Sequence, residues 1–213
     1  MKNFYGGKFM DGLTKITDVV LIGFYFFITS IPIFTIGDSM TALYYVTHKC
    51  IFRGKGYTTE YFKSFKSNFN QATLSWLIFL VVQLVLIADI YIMKDSMSKG
   101  VLFAAAPWFF MVVLVLIMVW AIYHFAYIAR FQNTFKTSFK VSLAIMFVNI
   151  PWTLAILGEM ILGLLILYRV PVLVLFAPSL FAIAVHPILE KVFRKYMTPE
   201  DLKREEDDDM MNF

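Results

Sequence analysis

From residue 101 to residue 127 the chain runs for 27 residues without an acid, a lysine or an arginine. As a helix this stretch is about 40 Å long at ~1.5 Å per residue. That exceeds the hydrocarbon core of a bilayer, which is roughly 30 Å thick. A lipid environment requires such a segment to satisfy its own backbone, and only a helix or a closed barrel does so. The run is continuously apolar rather than alternating, which excludes a porin-type barrel. Four further apolar runs occupy residues 19–36, 74–93, 142–168 and 171–192. The fold class expected is therefore all-α: a polytopic transmembrane helix bundle of five spans, forming one membrane domain over residues 1–196. An acidic tail, 197–213, follows. With 60% hydrophobic and 16% charged residues, the chain lies outside the range of soluble domains.

The longest polar interruption is Thr35 to Ala72. Over 39–52, helical spacing puts Met40, Leu43, Tyr44, Thr47 and Ile51 on one side, with Thr41, Tyr45, His48 and Lys49 towards the other. Arg53-Gly54-Lys55-Gly56 favours a turn. Over 59–70, Phe62, Phe65 and Phe69 share a face, and Lys63, Lys66, Ser67 and Asn70 oppose them. The pattern predicts a cytoplasmic, amphipathic two-helix loop between spans one and two. Tyr44, Tyr45, Phe62, Phe65 and Phe69 are its candidate partner-docking residues.

Prolines punctuate the spans. Ser30-Ile31-Pro32 predicts the end of the first helix, since proline removes a backbone donor. Pro107 suits the first turn of the third. Asn149-Ile150-Pro151 predicts a kink within the fourth, with the freed carbonyl satisfied by neighbours. Thr198-Pro199-Glu200-Asp201 carries a cap, a first-turn proline and early acids, which start a helix in the tail. Before the first span, Phe9, Leu13 and Ile16 would give residues 1–18 an apolar face for the interface.

Charge gives the orientation. The segments 37–73 and 128–140 and the tail carry thirteen lysines and arginines, and the opposite side carries six. By the positive-inside rule the N-terminus is outside and the C-terminus cytoplasmic; a six-span alternative, splitting 142–168 near Gly158-Glu159, would put both termini inside. The net charge of +4 is explained by those loops, and nucleic acid is not an expected partner. A single cysteine, Cys50, excludes an intrachain disulfide and any cysteine-built metal cage.

Ionisable residues inside apolar runs are candidate functional groups, because they are costly there. Glu159 and Asp89 qualify, and a cavity lined by both would take a sugar-like or cationic ligand. His48, His124 and His186 come from separate segments without metal-ligand spacing, so neither a metal site nor another cofactor is expected. His186 and Glu190, four residues apart, read as a local pair. No nucleotide loop, serine nucleophile elbow, zinc-protease helix or Cys-x-x-Cys pair is present, and an enzyme is not expected.

Several strings in order resemble a known pattern: Ser30-Ile31-Pro32-Ile33-Phe34-Thr35-Ile36-Gly37, Ala42-Leu43-Tyr44-Tyr45, Gly56-Tyr57, and Phe62-Lys63-Ser64-Phe65-Lys66-Ser67-Asn68-Phe69-Asn70-Gln71-Ala72. With Asn149-Ile150-Pro151 and Phe193-Arg194-Lys195-Tyr196, the chain resembles the YesL-like family of bacterial integral membrane proteins over nearly its whole length. The acidic run Glu205 to Asp209 departs from that pattern. The resemblance implies a domain of unknown function whose genes sit beside ATP-binding-cassette carbohydrate importers and glycan-degrading enzymes, with no catalytic residues to carry over. The expected function is thus a non-enzymatic accessory or regulatory membrane protein associated with carbohydrate uptake. The alternative is a small transporter or substrate-binding component using Asp89 and Glu159. In the expected orientation, a membrane-impermeant maleimide labels Cys50 only after the cells are opened, and labelling of intact cells would reverse the topology.

Overall fold

The computed structural model describes residues 4–51, 57–94 and 101–203, with side chains from Thr17 onward except at residues 50, 51, 57 and 101–103. The Gly54–Gly56 turn, the side chains of the Phe9–Leu13–Ile16 face and the acidic run 205–209 lie outside the described residues. The described chain is helical throughout: α1 (Phe4–Ser30), α2 (Ile36–Val46), α3 (Tyr57–Lys94), α4 (Val101–Arg130), α5 (Phe135–Val148), α6 (Ile150–Arg169) and α7 (Ala177–Phe193).

Among the described residues, three helical stretches are long and apolar enough to cross a membrane: Thr58–Lys94, Ala104–Arg130 and Ile150–Arg169. Their outward faces carry Leu84, Val85, Phe109, Val112, Leu162 and Leu165, all exposed, as lipid-facing residues are in an isolated bundle. The C-terminal ends of α4 and α7 meet, with Phe193 packed on Tyr127 and Phe131. At that end Lys49, Lys63 and Arg130, one or more from each of two basic segments, line one space together with Tyr196.

The boundaries depart from the expected spans in four places. The first apolar run, 19–36, is not one helix. Pro32 ends α1 at Ser30, a 3-10 turn (Ile33–Thr35) follows, and the chain doubles back as α2. Thr29 Oγ1 meets Ser39 Oγ at 2.9 Å and Tyr61 OH at 2.8 Å, which ties both arms of this reversal to α3. The expected two-helix loop is not a loop either. α2 is buried in the bundle, and 59–70 is the first part of the 38-residue α3. No glycine or proline interrupts residues 57–94, so nothing in the backbone stops the helix at the membrane boundary.

The third correction concerns Pro107, which lies inside α4 rather than in its first turn. The fourth is the run 142–168. It is divided at Asn149 (φ −109°, ψ 48°), where the backbone leaves the helical region. α5 lies across α4: Gln71 of α3 donates to Ser138 near its start, and Trp120 and His124 of α4 meet Ser142. The break satisfies its own carbonyls, as expected. Thr153 Oγ1 donates to Met146 O at 2.7 Å, and Asn149 Nδ2 donates to Ile145 O at 2.9 Å. Asn149 also holds the segment after α7, through Tyr196 OH at 2.8 Å and Lys195 Nζ at 3.4 Å. Beyond it, Thr198 and Asp201 exchange backbone bonds across the predicted cap, with Thr198 N donating to Asp201 Oδ2 at 3.0 Å and Asp201 N to Thr198 Oγ1 at 3.2 Å.

α2, α3 and α4 approach closely at Gly37. A Cβ built there would lie 2.6 Å from Trp76 Cβ, 2.7 Å from Ala72 O and 2.8 Å from a Phe125 ring carbon. A backbone oxygen and a tryptophan Cβ cannot swing aside, so α2, α3 and α4 meet only because residue 37 has no side chain. Gly37→Ala is expected to lower stability by about 1–3 kcal/mol, read as a reduced thermal midpoint in detergent. Gly158→Ala, at a position with open space around it, is the matched control.

Candidate functional site

The basic end of the bundle holds a buried polar cluster drawn from three separate parts of the chain. α4 delivers Arg130 as its last residue, where a cation complements the helix C-terminus. α7 delivers His186 and Glu190 on one face, four residues apart. α2 delivers Tyr44. Directly after it, a π turn (Thr47–Ile51) carries His48. A π turn widens the helix locally and is frequent at functional sites.

Glu190 is the hub. Arg130 grips both carboxylate oxygens, with Nε 2.8 Å from Oε1 and Nη2 3.1 Å from Oε2. Nη2 donates a hydrogen bond to Oε2, while the Nε contact is an ion pair in which Nε–H is not aligned to donate. Tyr44 OH donates to Oε1 at 3.0 Å, and His48 Nδ1 stands 3.3 Å from the same oxygen. His48 Nδ1 and His186 Nε2 are 2.9 Å apart, so one ring donates its proton to the other. Burial, then the Glu190 charge, push the Tyr44 hydroxyl well above its ordinary range, so it remains a donor.

Above the cluster opens a vestibule of about 720 Å³, lined among others by His48, Lys49, Lys63, Arg130, Tyr127 and Tyr196. Its rim carries a second charged group. Lys49 Nζ lies 3.2 Å from Glu60 Oε2 and donates to Tyr45 OH at 2.9 Å, and Tyr45 OH donates to Glu60 at 3.1 Å. Towards the bundle interior, a smaller apolar cavity of about 240 Å³ lies between Phe26, Met40, Phe125 and Phe181. Tyr44 lines the apolar space, whereas His48 and Arg130, which contact the same carboxylate, line the polar one.

The candidate residues from the sequence are distributed unevenly around this arrangement. Tyr44 is 6% exposed and belongs to the buried cluster rather than to the surface. Phe62 is exposed, and Tyr45, Phe65 and Phe69 are half-buried, with Phe62 against Tyr25 and Phe65 against Phe69. Asp89 on α3 and Glu159 on α6 are not brought together. Their helices share no substantial interface among the described residues, and neither residue lines the two cavities described above. Glu159 Oε2 is buried without a hydrogen-bond partner among the described residues.

The histidines separate into two kinds. His48 and His186 meet in the cluster. His124 is fully buried elsewhere, between Ser75 Oγ at 2.8 Å and Ser142 Oγ at 3.1 Å, and packs on Phe139. The pairing of His186 with Glu190 is present at 4.0 Å, but Arg130 is the closer partner of the carboxylate. Sequence reasoning did not find the Arg130–Glu190 pair. The only signal was that each closes an apolar run. It also passed over Asp38, fully buried in the first turn of α2, where Thr73 donates to its carboxylate. Burial pushes that carboxyl up to about 7, and the Thr73 bond pulls the other way.

Chemically, the cluster can hold a proton between two imidazoles, present nitrogen lone pairs beside a carboxylate, and offer a guanidinium to the vestibule. Residues 19–90 match the model of a family described as "Protein of unknown function, DUF624". No curated protein and no solved structure matches the chain.

Removing one partner of a buried pair strands the other. Arg130→Met is expected to cost about 3–5 kcal/mol by leaving Glu190 uncompensated. Arg130→Met with Glu190→Gln should lose less than the two single changes added together, read from thermal or denaturant unfolding in detergent. Additive losses would show that the two groups are not coupled.

Proposed function

We propose that this protein is a non-enzymatic integral membrane component that works by contact at its basic end. In this reading it is an accessory or regulatory partner of an ATP-binding-cassette carbohydrate importer in a bacterial plasma membrane. The observation that carries the contact reading is the vestibule, an open polar space bounded by three helix ends with cations on its wall. Beside it, α3 presents exposed Phe62, Lys63 and Lys66. An exposed aromatic on a rigid helix is of the residue type enriched in protein contacts, and the neighbouring lysines fit the polar rim of one. The importer as partner rests on the resemblance in the sequence.

The orientation belongs to the same proposal. The basic end and the C-terminus are cytoplasmic in this reading. α1 runs parallel to α3, with Tyr25 against Thr58 and Thr29 against Tyr61. The start of α1 therefore lies on that side too, so the expected outward N-terminus and five crossings are not retained. The small-transporter alternative draws its support from Glu159 alone, through its buried, unpartnered oxygen.

The test is native purification from the membrane of the producing organism. Importer subunits are expected to co-purify, and Phe62→Ala combined with Lys63→Glu and Lys66→Glu should reduce their recovery at least about fivefold while the protein stays folded. Purification without any importer subunit overturns the reading. Glu159→Gln is expected to leave co-purification intact. Loss of sugar uptake in that variant, with the complex preserved, would instead favour the transporter.

A further inference from the structure

At the centre of the buried cluster, two imidazole nitrogens and a carboxylate oxygen point at a common spot. His48 Nδ1 lies 2.9 Å from His186 Nε2 and 3.3 Å from Glu190 Oε1, and His186 Nε2 is 4.0 Å from that oxygen. These ligand atoms all fall within 4.8 Å of one another, on side chains that are buried. Around a tetrahedral zinc ion, ligands at ~2.0–2.1 Å stand about 3.3–3.4 Å from each other. The three separations in the cluster bracket that edge length. Accommodating an ion requires the imidazole nitrogens to part by about 0.4–0.5 Å and His186 to close on the carboxylate by about 0.6–0.7 Å.

We propose that His48, His186 and Glu190 form a binding site for a divalent transition-metal ion, zinc foremost, with a fourth position towards the vestibule. The donor set selects the ion class. Two imidazoles with one carboxylate suit zinc, copper, nickel or iron, whereas magnesium and calcium take oxygen ligands. The competing account is a metal-free network in which the two rings share a proton beside the carboxylate. What favours the ion is convergence. The π turn aims His48 across at α7, and the helical spacing of His186 and Glu190 puts both on the face it meets.

The surroundings set the strength of the site. Arg130 and Tyr44 already orient the carboxylate, the role that outer-shell partners play around bound metals. Arg130 also brings a positive charge to the same oxygen the ion would use. Its Nη2 contact with Oε2 can persist while Nε withdraws from Oε1. Two cations sharing one carboxylate make this a weaker, exchangeable site compared with a cysteine cage. A bound ion would fasten the π turn to α7 and fix one wall of the vestibule. The inference is independent of the importer reading.

The experiment uses the full-length protein in detergent, stripped with EDTA and titrated with Zn²⁺ and separately with Co²⁺. One zinc per chain is expected after desalting, with the intense visible absorption of tetrahedral cobalt. The thermal midpoint should rise by several degrees over the EDTA-treated sample, because ligand binding to the native state stabilises it. His48→Gln and His186→Gln, each checked for native elution and helix content, should weaken zinc binding about 100-fold. X-ray absorption at the zinc edge of the wild-type protein should report two imidazoles and oxygen, and it decides the matter even where a variant does not fold. Absence of stoichiometric uptake by the wild type, a sulfur or all-oxygen shell, or unchanged binding in both histidine variants overturns the proposal.

Discussion

The grip of Arg130 on Glu190 is the contact around which the basic end of the bundle is arranged. Taking either charge out of water alone costs several kcal/mol, and their mutual attraction offsets this only when the geometry is good and the remaining lone pairs are used. That condition explains the neighbours. Tyr44 and His48 converge on the oxygen that Arg130 Nε contacts, and Arg130 Nη2 takes the other. The ends of α4 and α7 and the join of α2 to its π turn are therefore held in register by one carboxylate. The vestibule exists because these three ends cannot separate without stranding a charge.

Deeper in the bundle the same logic operates with neutral groups. Helices in lipid gain little from burying apolar surface against one another, and packing and hydrogen bonds between small polar residues supply part of the association. Ser75–His124–Ser142 links α3, α4 and α5, and Ser39–Thr29–Tyr61 links α2, α1 and α3. Asn149 does this at a backbone break, joining the α5–α6 corner to the segment after α7. Two strings that lie far apart in the chain, Asn149-Ile150-Pro151 and Arg194-Lys195-Tyr196, thus touch in space.

How much of this was legible follows from the range of each interaction. Long apolar runs announce membrane helices by composition alone, and Pro32 and Pro151 mark chain breaks through local backbone chemistry. The cap at Thr198 is likewise a matter of three residues. The burial of α2 was not legible. Its polar side, with Thr41, reads as a wet face, yet Thr41 is fully buried against other helices. Periodicity distinguishes two faces but not what covers them. The kink at Asn149-Ile150-Pro151 was legible in the 142–168 run, but not that it separates two helices, because α5 and α6 are both apolar. The Arg130–Glu190 pair spans 60 residues, and no spacing rule reaches that far. His48 and His186 were identified singly, while their meeting depends on how α2 and α7 pack.

The continuity of α3 has a mechanical consequence. Thirty-eight residues of uninterrupted helix measure about 57 Å, nearly twice the ~30 Å hydrocarbon core. With no glycine or proline along its length, the element has no joint at the membrane boundary. The part bearing Phe62 and Lys63 and the part bearing Lys94 belong to a single lever. Gly37 and Trp76 pinch it near its midpoint, which makes that contact the fulcrum. A tilt at one end of so stiff an element is carried to the other.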